Sequence, residues 1–183
     1  MQLSTQDTSR IHAAVAAAEA RTQVHAAVSI VAASDRYLLF PLVWGALLSL
    51  VAGGVLAVGW PYLPLREAFA IEAIVFVIFS LLLDWWPLRL LLVPRHILRR
   101  HAQTLAQREF AARILASSER KGGVLFFVSL GERYAEILAD RDTHARVGTT
   151  AWNGILADFT AAAGQRRVAD GIVAAIEACS SVI

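Results

Sequence analysis

The chain has 183 residues, 57% of them hydrophobic and only 17% charged, with a formal net charge of +2. An average soluble domain is about 45–50% apolar and about 25% charged, so a disordered chain and an ordinary soluble globule are both excluded. Cys179 is the single cysteine, which excludes an internal disulfide framework.

Ser4 and Asp7 stand in the arrangement of a helix-capping box, and Ile11, Ala14, Val15 and Ala18 share one helical face. This predicts an amphipathic helix over 5–21. Beyond Thr22 the run AAVSIVAA, rich in β-branched residues and bounded by polar ones, predicts a buried strand ending near Ala33. A helix and one strand cannot bury their own apolar surface, so this half needs a partner elsewhere in the chain.

From Leu38 to Trp60 there are 23 residues without a charge, enough to cross a hydrocarbon core that takes about 20. A second run, Ala68 to Trp86, is interrupted only by Glu72 and Asp84, and the short PYLPLRE joins the two. Two spans with a tight connection predict a transmembrane hairpin, because backbone in lipid must satisfy its hydrogen bonds internally. Arg10, Arg21 and Arg36 precede it, Arg66 alone lies in the connection, and Arg89, Arg95, Arg99 and Arg100 follow. The positive-inside rule then puts both termini in the cytoplasm, and Trp44, Trp60, Trp85 and Trp86 suit the interfaces. The first 37 residues have no uninterrupted apolar segment of the secretory type. Gly45, Ser49, Gly53 and Ala57 recur every fourth residue, a small-residue ridge that admits a close helix, either the second span or a second copy of the chain. Glu72 lies about one turn inside the expected outer boundary, where it can snorkel toward water or Arg66 or else mark an ion pathway.

After the hairpin, residues 96–119 read as an arginine-rich helix with Leu98, Ala102, Leu105, Ala106, Phe110 and Ile114 on its apolar face, stopped by Lys121-Gly122-Gly123. Val124 to Leu130 is apolar at six of seven positions, the signature of a central strand covered on both faces. Gly131-Glu132-Arg133 forms a turn into a third strand, Tyr134 to Ala139, with Ala135, Ile137 and Ala139 facing one way and Tyr134, Glu136 and Leu138 the other. Two closing helices carry the stripes Trp152, Ile155, Leu156, Phe159, Ala163 and Val168, Ile172, Ala175, Ile176, Cys179. The expected organisation is a helix and first strand over 1–37, a two-span hairpin over 38–88, and the remainder of one α/β domain over 89–183. Eight basic residues and two acids fall between Arg89 and Lys121. So short a basic stretch, directly after an apolar run, reads as a contact with anionic lipid headgroups through Arg89, Arg95, Arg99 and Arg100, and not as a nucleic-acid patch.

The run GGVLFFVSLGERYAEILADRDTHAR, Gly122 to Arg146, resembles the TPM-domain family, named after a thylakoid-lumen protein. IHAAVAAAEARTQVHAAVSI, Ile11 to Ile30, is similar to that family's opening helix, Thr turn and first strand. The likeness extends to a branch of small bacterial membrane proteins with a two-span hairpin inserted after that strand. The resemblance implies a three-layer, Rossmann-like α/β domain with a mixed sheet, in the bacterial inner membrane. It also implies two functional classes, divalent-metal binding and acid phosphatase activity. His25 stands where the family commonly has an acid, which weakens a cation site there.

The remaining acids are Glu132, Glu136, Asp140 and Asp142. Ca²⁺ or Mg²⁺ needs several oxygen ligands, and Glu136, Asp140 and Asp142 are the candidate set. Glu136 and Asp140 share a strand face, while Asp142 follows a bend; the competing reading makes these acids the counter-charges of Arg133, Arg141 and Arg146 on a solvated edge. His144 reads as a loop residue, His96 and His101 as headgroup contacts, and Cys179 as core. No G-x-S-x-G elbow, Walker A loop or G-x-G-x-x-G occurs in the sequence. The expectation is a membrane-held, non-catalytic binding or assembly module, with a membrane-protein partner or a second copy as its further contact. A metal-dependent or acid phosphatase acting on phosphomonoesters is the alternative.

Overall fold

The computed structural model describes residues 4–22, 24–116 and 122–183. The expected helix end at 117–119 and Lys121 lie outside the described residues, as does the side chain of Trp86. The chain divides into two compact units, Met1–Ser34 with Arg99–Ile183, and Asp35–Leu98.

In the first unit, α1 (Thr5–Arg21) opens with the expected box, the Asp7 amide donating to Ser4 Oγ and the Ser4 amide to Asp7 Oδ2, each at 3.1 Å. It leads into β1 (His25–Val31). The sheet order is β1-β2-β3, with β1 parallel to β2 (Gly123–Ser129) and β2 antiparallel to β3 (Tyr134–Ala139). The sheet is therefore mixed, and its central strand is buried at every position.

Alternation along the strands sorts two cores. Val124, Phe126 and Val128, with Ile137 beside them, meet α1, α7 (Thr149–Gly164) and α8 (Val168–Val182). Leu125 and Phe127 meet Ala102, Ala106 and Ile114 of α5 (Arg95–Phe110) and its π-helical continuation Ala111–Leu115. Helices thus cover both faces, a three-layer arrangement. Phe126 and Phe159 meet edge to face at 5.1 Å, a geometry worth roughly 0.5–1.5 kcal/mol beyond burial. A Cβ on Gly123 would collide with Ile114, so glycine is what lets the π-helical turn approach the sheet.

One element was not expected. Where the sequence suggests only a bend, α6 (Arg141–Val147) forms, so His144 is helical. Its sequence RDTHARV has no apolar stripe to betray it; it exists because Asp140 caps its start and Gly148, at φ +80°, ends it.

The second unit contains α2 (Leu39–Gly59), α3 (Leu65–Leu83) and the short α4 (Trp86–Leu92). Among the described residues α2 is the one helix long and apolar enough to cross a membrane. The helix α3 begins three residues earlier than expected, directly after Pro64, and so carries Arg66, Glu67 and Glu72; it ends at Leu83 with Asp84 as its cap. This unit also runs past the expected limit at residue 88. Tyr37, Val93 and Leu98 bury one another, with Phe40, Leu90 and Ile97 packed around them, which holds residues 89–98 to the hairpin.

Candidate functional site

The small-residue ridge of α2 is occupied within the chain. A Cβ on Gly45 would collide with Ser80 of α3, one on Gly53 would lie 3.2–3.3 Å from the Glu72 carboxylate, and Ser49 Oγ donates to the Glu72 carbonyl at 3.3 Å. Ala57 is exposed and takes no part. The Glu72 carboxylate therefore rests over a glycine of the neighbouring helix.

At the base of the hairpin the basic residues divide. Arg89 is only 8% exposed. Its guanidinium donates to the carbonyls of Arg36 at 2.8 Å and Asp84 at 2.9 Å and pairs with the Asp84 carboxylate, so it ties the chain before α2 to the chain after α3. This corrects its assignment to the membrane surface: two carbonyls and a carboxylate supply the partners that headgroups would have supplied. Arg95, Arg99 and Arg100 are exposed.

The acids of the α/β unit do not converge as a metal set. Asp140 Oδ2 accepts from the Gly123 amide at 2.7 Å and Thr143 Oγ1 at 2.6 Å, while Oδ1 accepts from the amides of Asp142 at 3.0 Å and Thr143 at 3.1 Å. Burial raises the pKa of this carboxyl, but those four donors outweigh burial and hold it below its ordinary value. Glu136 Oε2 accepts from the Tyr134 hydroxyl at 2.9 Å; burial first, then that carboxylate, push the phenol well above its usual range. Asp142 is exposed on α6. Among the described residues no group of three or more His, Cys, Asp or Glu could hold a metal ion. The expected trio Glu136, Asp140 and Asp142 is not among such groups, and both oxygens of Asp140 are engaged by donors of its own fold.

Sequence reasoning missed a polar brace at the carboxyl ends of β1 and β2, the end where open α/β sheets hold their ligands. Glu132 Oε1 accepts from the Ser34 amide at 2.8 Å and Ser34 Oγ at 2.7 Å, and its other oxygen takes the Ser129 hydroxyl. Glu109 Oε2 accepts from Ser29 Oγ at 3.2 Å and Arg113 Nε at 2.6 Å. Serines at one strand end and a glutamate in the following turn were the available signal. What they build here is a tie between β1, the β2–β3 turn and α5. At position 25, His25 Nδ1 lies 2.5 Å from Glu19 Oε1, so an acid does reach this strand start, from α1.

No family model, curated protein or solved structure matches the chain. Cys179 is 7% exposed, and burial pushes its thiol up to about 12, the state of an inert core residue and not of a nucleophile. The crevice beside it, between α1, β1 and α8, encloses about 20 Å³, room for one water.

Proposed function

We propose that the chain is a bacterial inner-membrane protein, held by the α2–α3 hairpin with both termini in the cytoplasm, whose TPM-like α/β domain is a non-catalytic binding or assembly module. The observation that carries this is the exposed apolar surface of the hairpin. Leu39, Leu50 and Val58 on α2 and Phe69, Val77 and Leu81 on α3 all face outward. Soluble monomers rarely expose apolar patches beyond a few hundred Å², whereas a bilayer takes such a surface as its own.

The second span is the demanding part of this reading. Between Glu72 and Asp84 lie 11 uncharged residues, about 16 Å of helix against a core of about 30 Å. The seat of the Glu72 carboxylate over Gly53 supports the span, since it keeps the charge in the helix interface and away from acyl chains. The arginines before and after the hairpin, against Arg66 alone in its connection, support the orientation. The non-catalytic reading is supported by the engagement of Glu109, Glu132, Glu136 and Asp140 with donors of the fold itself.

Reporter fusions at Pro61 and at the C-terminus test the topology, and a C-terminal reporter active outside the cytoplasm overturns it. A phosphomonoester assay with and without Mg²⁺ tests the activity. Turnover lost in Asp142→Ala, whose exposed side chain the fold does not need, replaces this reading with the phosphatase. Proximity labelling in the native membrane identifies the partner or a second copy.

A further inference from the structure

We infer that the exposed face of α5 is a binding site for anionic phospholipid headgroups, an inference that rests on the membrane reading of the hairpin and names the lipid class it selects. Arg95, Arg99, Arg100 and Arg108 are all exposed along this helix. Its one acid is Glu109, and that carboxylate is turned to Ser29 and Arg113. Among the described residues no ion pair to Arg95, Arg99, Arg100 or Arg108 occurs. The face therefore presents guanidinium groups that no ion pair among the described residues engages, interleaved with the exposed amides of Gln103 and Gln107, which can donate hydrogen bonds, while the Thr104 hydroxyl is spent on the Arg100 carbonyl at 2.9 Å.

Position favours lipid over other polyanions. Ile97 and Phe40 both pack against the cluster of Tyr37, Val93 and Leu98 within the hairpin unit, and Arg99, Arg100 and Arg108 follow that turn directly in the chain, the sequence position of a juxtamembrane basic segment. Guanidinium matches a phosphodiester bidentately, and the surface of a cytoplasmic leaflet is negative. Each basic residue near such a surface contributes about fivefold in affinity.

The test uses the full chain purified in a neutral detergent and titrated with phosphatidylglycerol or phosphatidylcholine, the bound lipids counted by native mass spectrometry. Phosphatidylglycerol is expected to bind at least tenfold more tightly. R99Q is expected to lower that preference about fivefold, R99K to keep it, and Q103R to raise it. The substituted positions are exposed, and an unchanged melting temperature verifies that the fold is intact. Equal affinity for the two lipids, or a preference that survives R95Q/R99Q/R100Q, overturns the inference while leaving the membrane reading in place. Failure to co-float with vesicles of either lipid removes the membrane reading and the inference with it. Competition by a short DNA duplex at micromolar concentration, with no lipid preference, gives the face to nucleic acid and overturns the lipid site.

Discussion

Asp140 is where a metal-ligand experiment and a folding experiment would be confused, and its removal has a calculable effect. Asp140→Ala deletes the N-cap of α6, a loss of about 1 kcal/mol in typical caps. It also strands the Gly123 amide at the start of the fully buried β2 and the hydroxyl of Thr143, a residue with 0% exposure. An unsatisfied buried group costs about 1–3 kcal/mol, and because Asp140 itself is only partly buried, water can replace some of what is lost. The expected destabilisation is about 2–4 kcal/mol, or roughly 5–15 °C in Tm for a chain of this size. Urea unfolding of the full chain in detergent, followed by near-ultraviolet circular dichroism, measures it, with Asp142→Ala as the exposed control. The native carboxyl titrates below its ordinary 3.8, so its contribution is complete above about pH 4 and is lost as pH falls through the native value. Asp140→Asn should therefore flatten the acid limb of the stability profile. If Asp140→Ala unfolds at the same urea concentration as Asp142→Ala, the brace described here is energetically idle and the reasoning fails.

Gly123→Ala should destabilise the α/β unit by about 1–3 kcal/mol, the usual cost of overpacking, because the added methyl meets Ile114; Ile114→Ala in the same chain should recover part of the loss in the same urea assay. Gly45→Leu should lower the melting temperature in detergent by forcing α2 from Ser80, while Ala57→Leu on the exposed side should leave it unchanged; equal effects would deny that the ridge faces α3. Stability should fall as pH rises from about 9 toward 12, since the unfolded chain releases the Cys179 and Tyr134 protons that the native core retains. Chemical denaturation across that range should show a shallower decline for Cys179→Ala, with the Tyr134 share remaining.

Much of the α/β unit was legible because its signals are local. The apolar run Val124–Leu130 announces a central strand, the alternation of Tyr134–Ala139 an outer one, and the stripe from Val168 to Cys179 the last helix; these two strands lie within one residue of their expected ends, while the first, expected to end near Ala33, stops at Val31. The illegible parts depend on partners distant in sequence. Nothing around Arg89 distinguishes it from Arg95, yet the Arg36 carbonyl, 53 residues away, turns the first inward and leaves the second to solvent. The same holds for Glu132, whose partner Ser34 lies 98 residues back across the hairpin. The α6 helix escaped because its cap, and not its periodicity, defines it. Asp140 is illegible for a related reason: strand period fixes which side a carboxylate faces but not which donors claim it, and four claim Asp140.

The parallel pairing of β1 with β2 has a consequence in time. Register partners such as His25 and Gly123 are 98 positions apart. At about 5–20 residues per second of synthesis, β1 waits roughly 5–20 s for its neighbour. With the hairpin in a bilayer, as proposed, that interval is when insertion takes place, and α1 and β1 pass it with their apolar faces uncovered. A hairpin that crossed once and did not return would leave β2 and β3 on the far side, where no sheet could close. On that proposal, completion of the sheet would itself report that both crossings had been made.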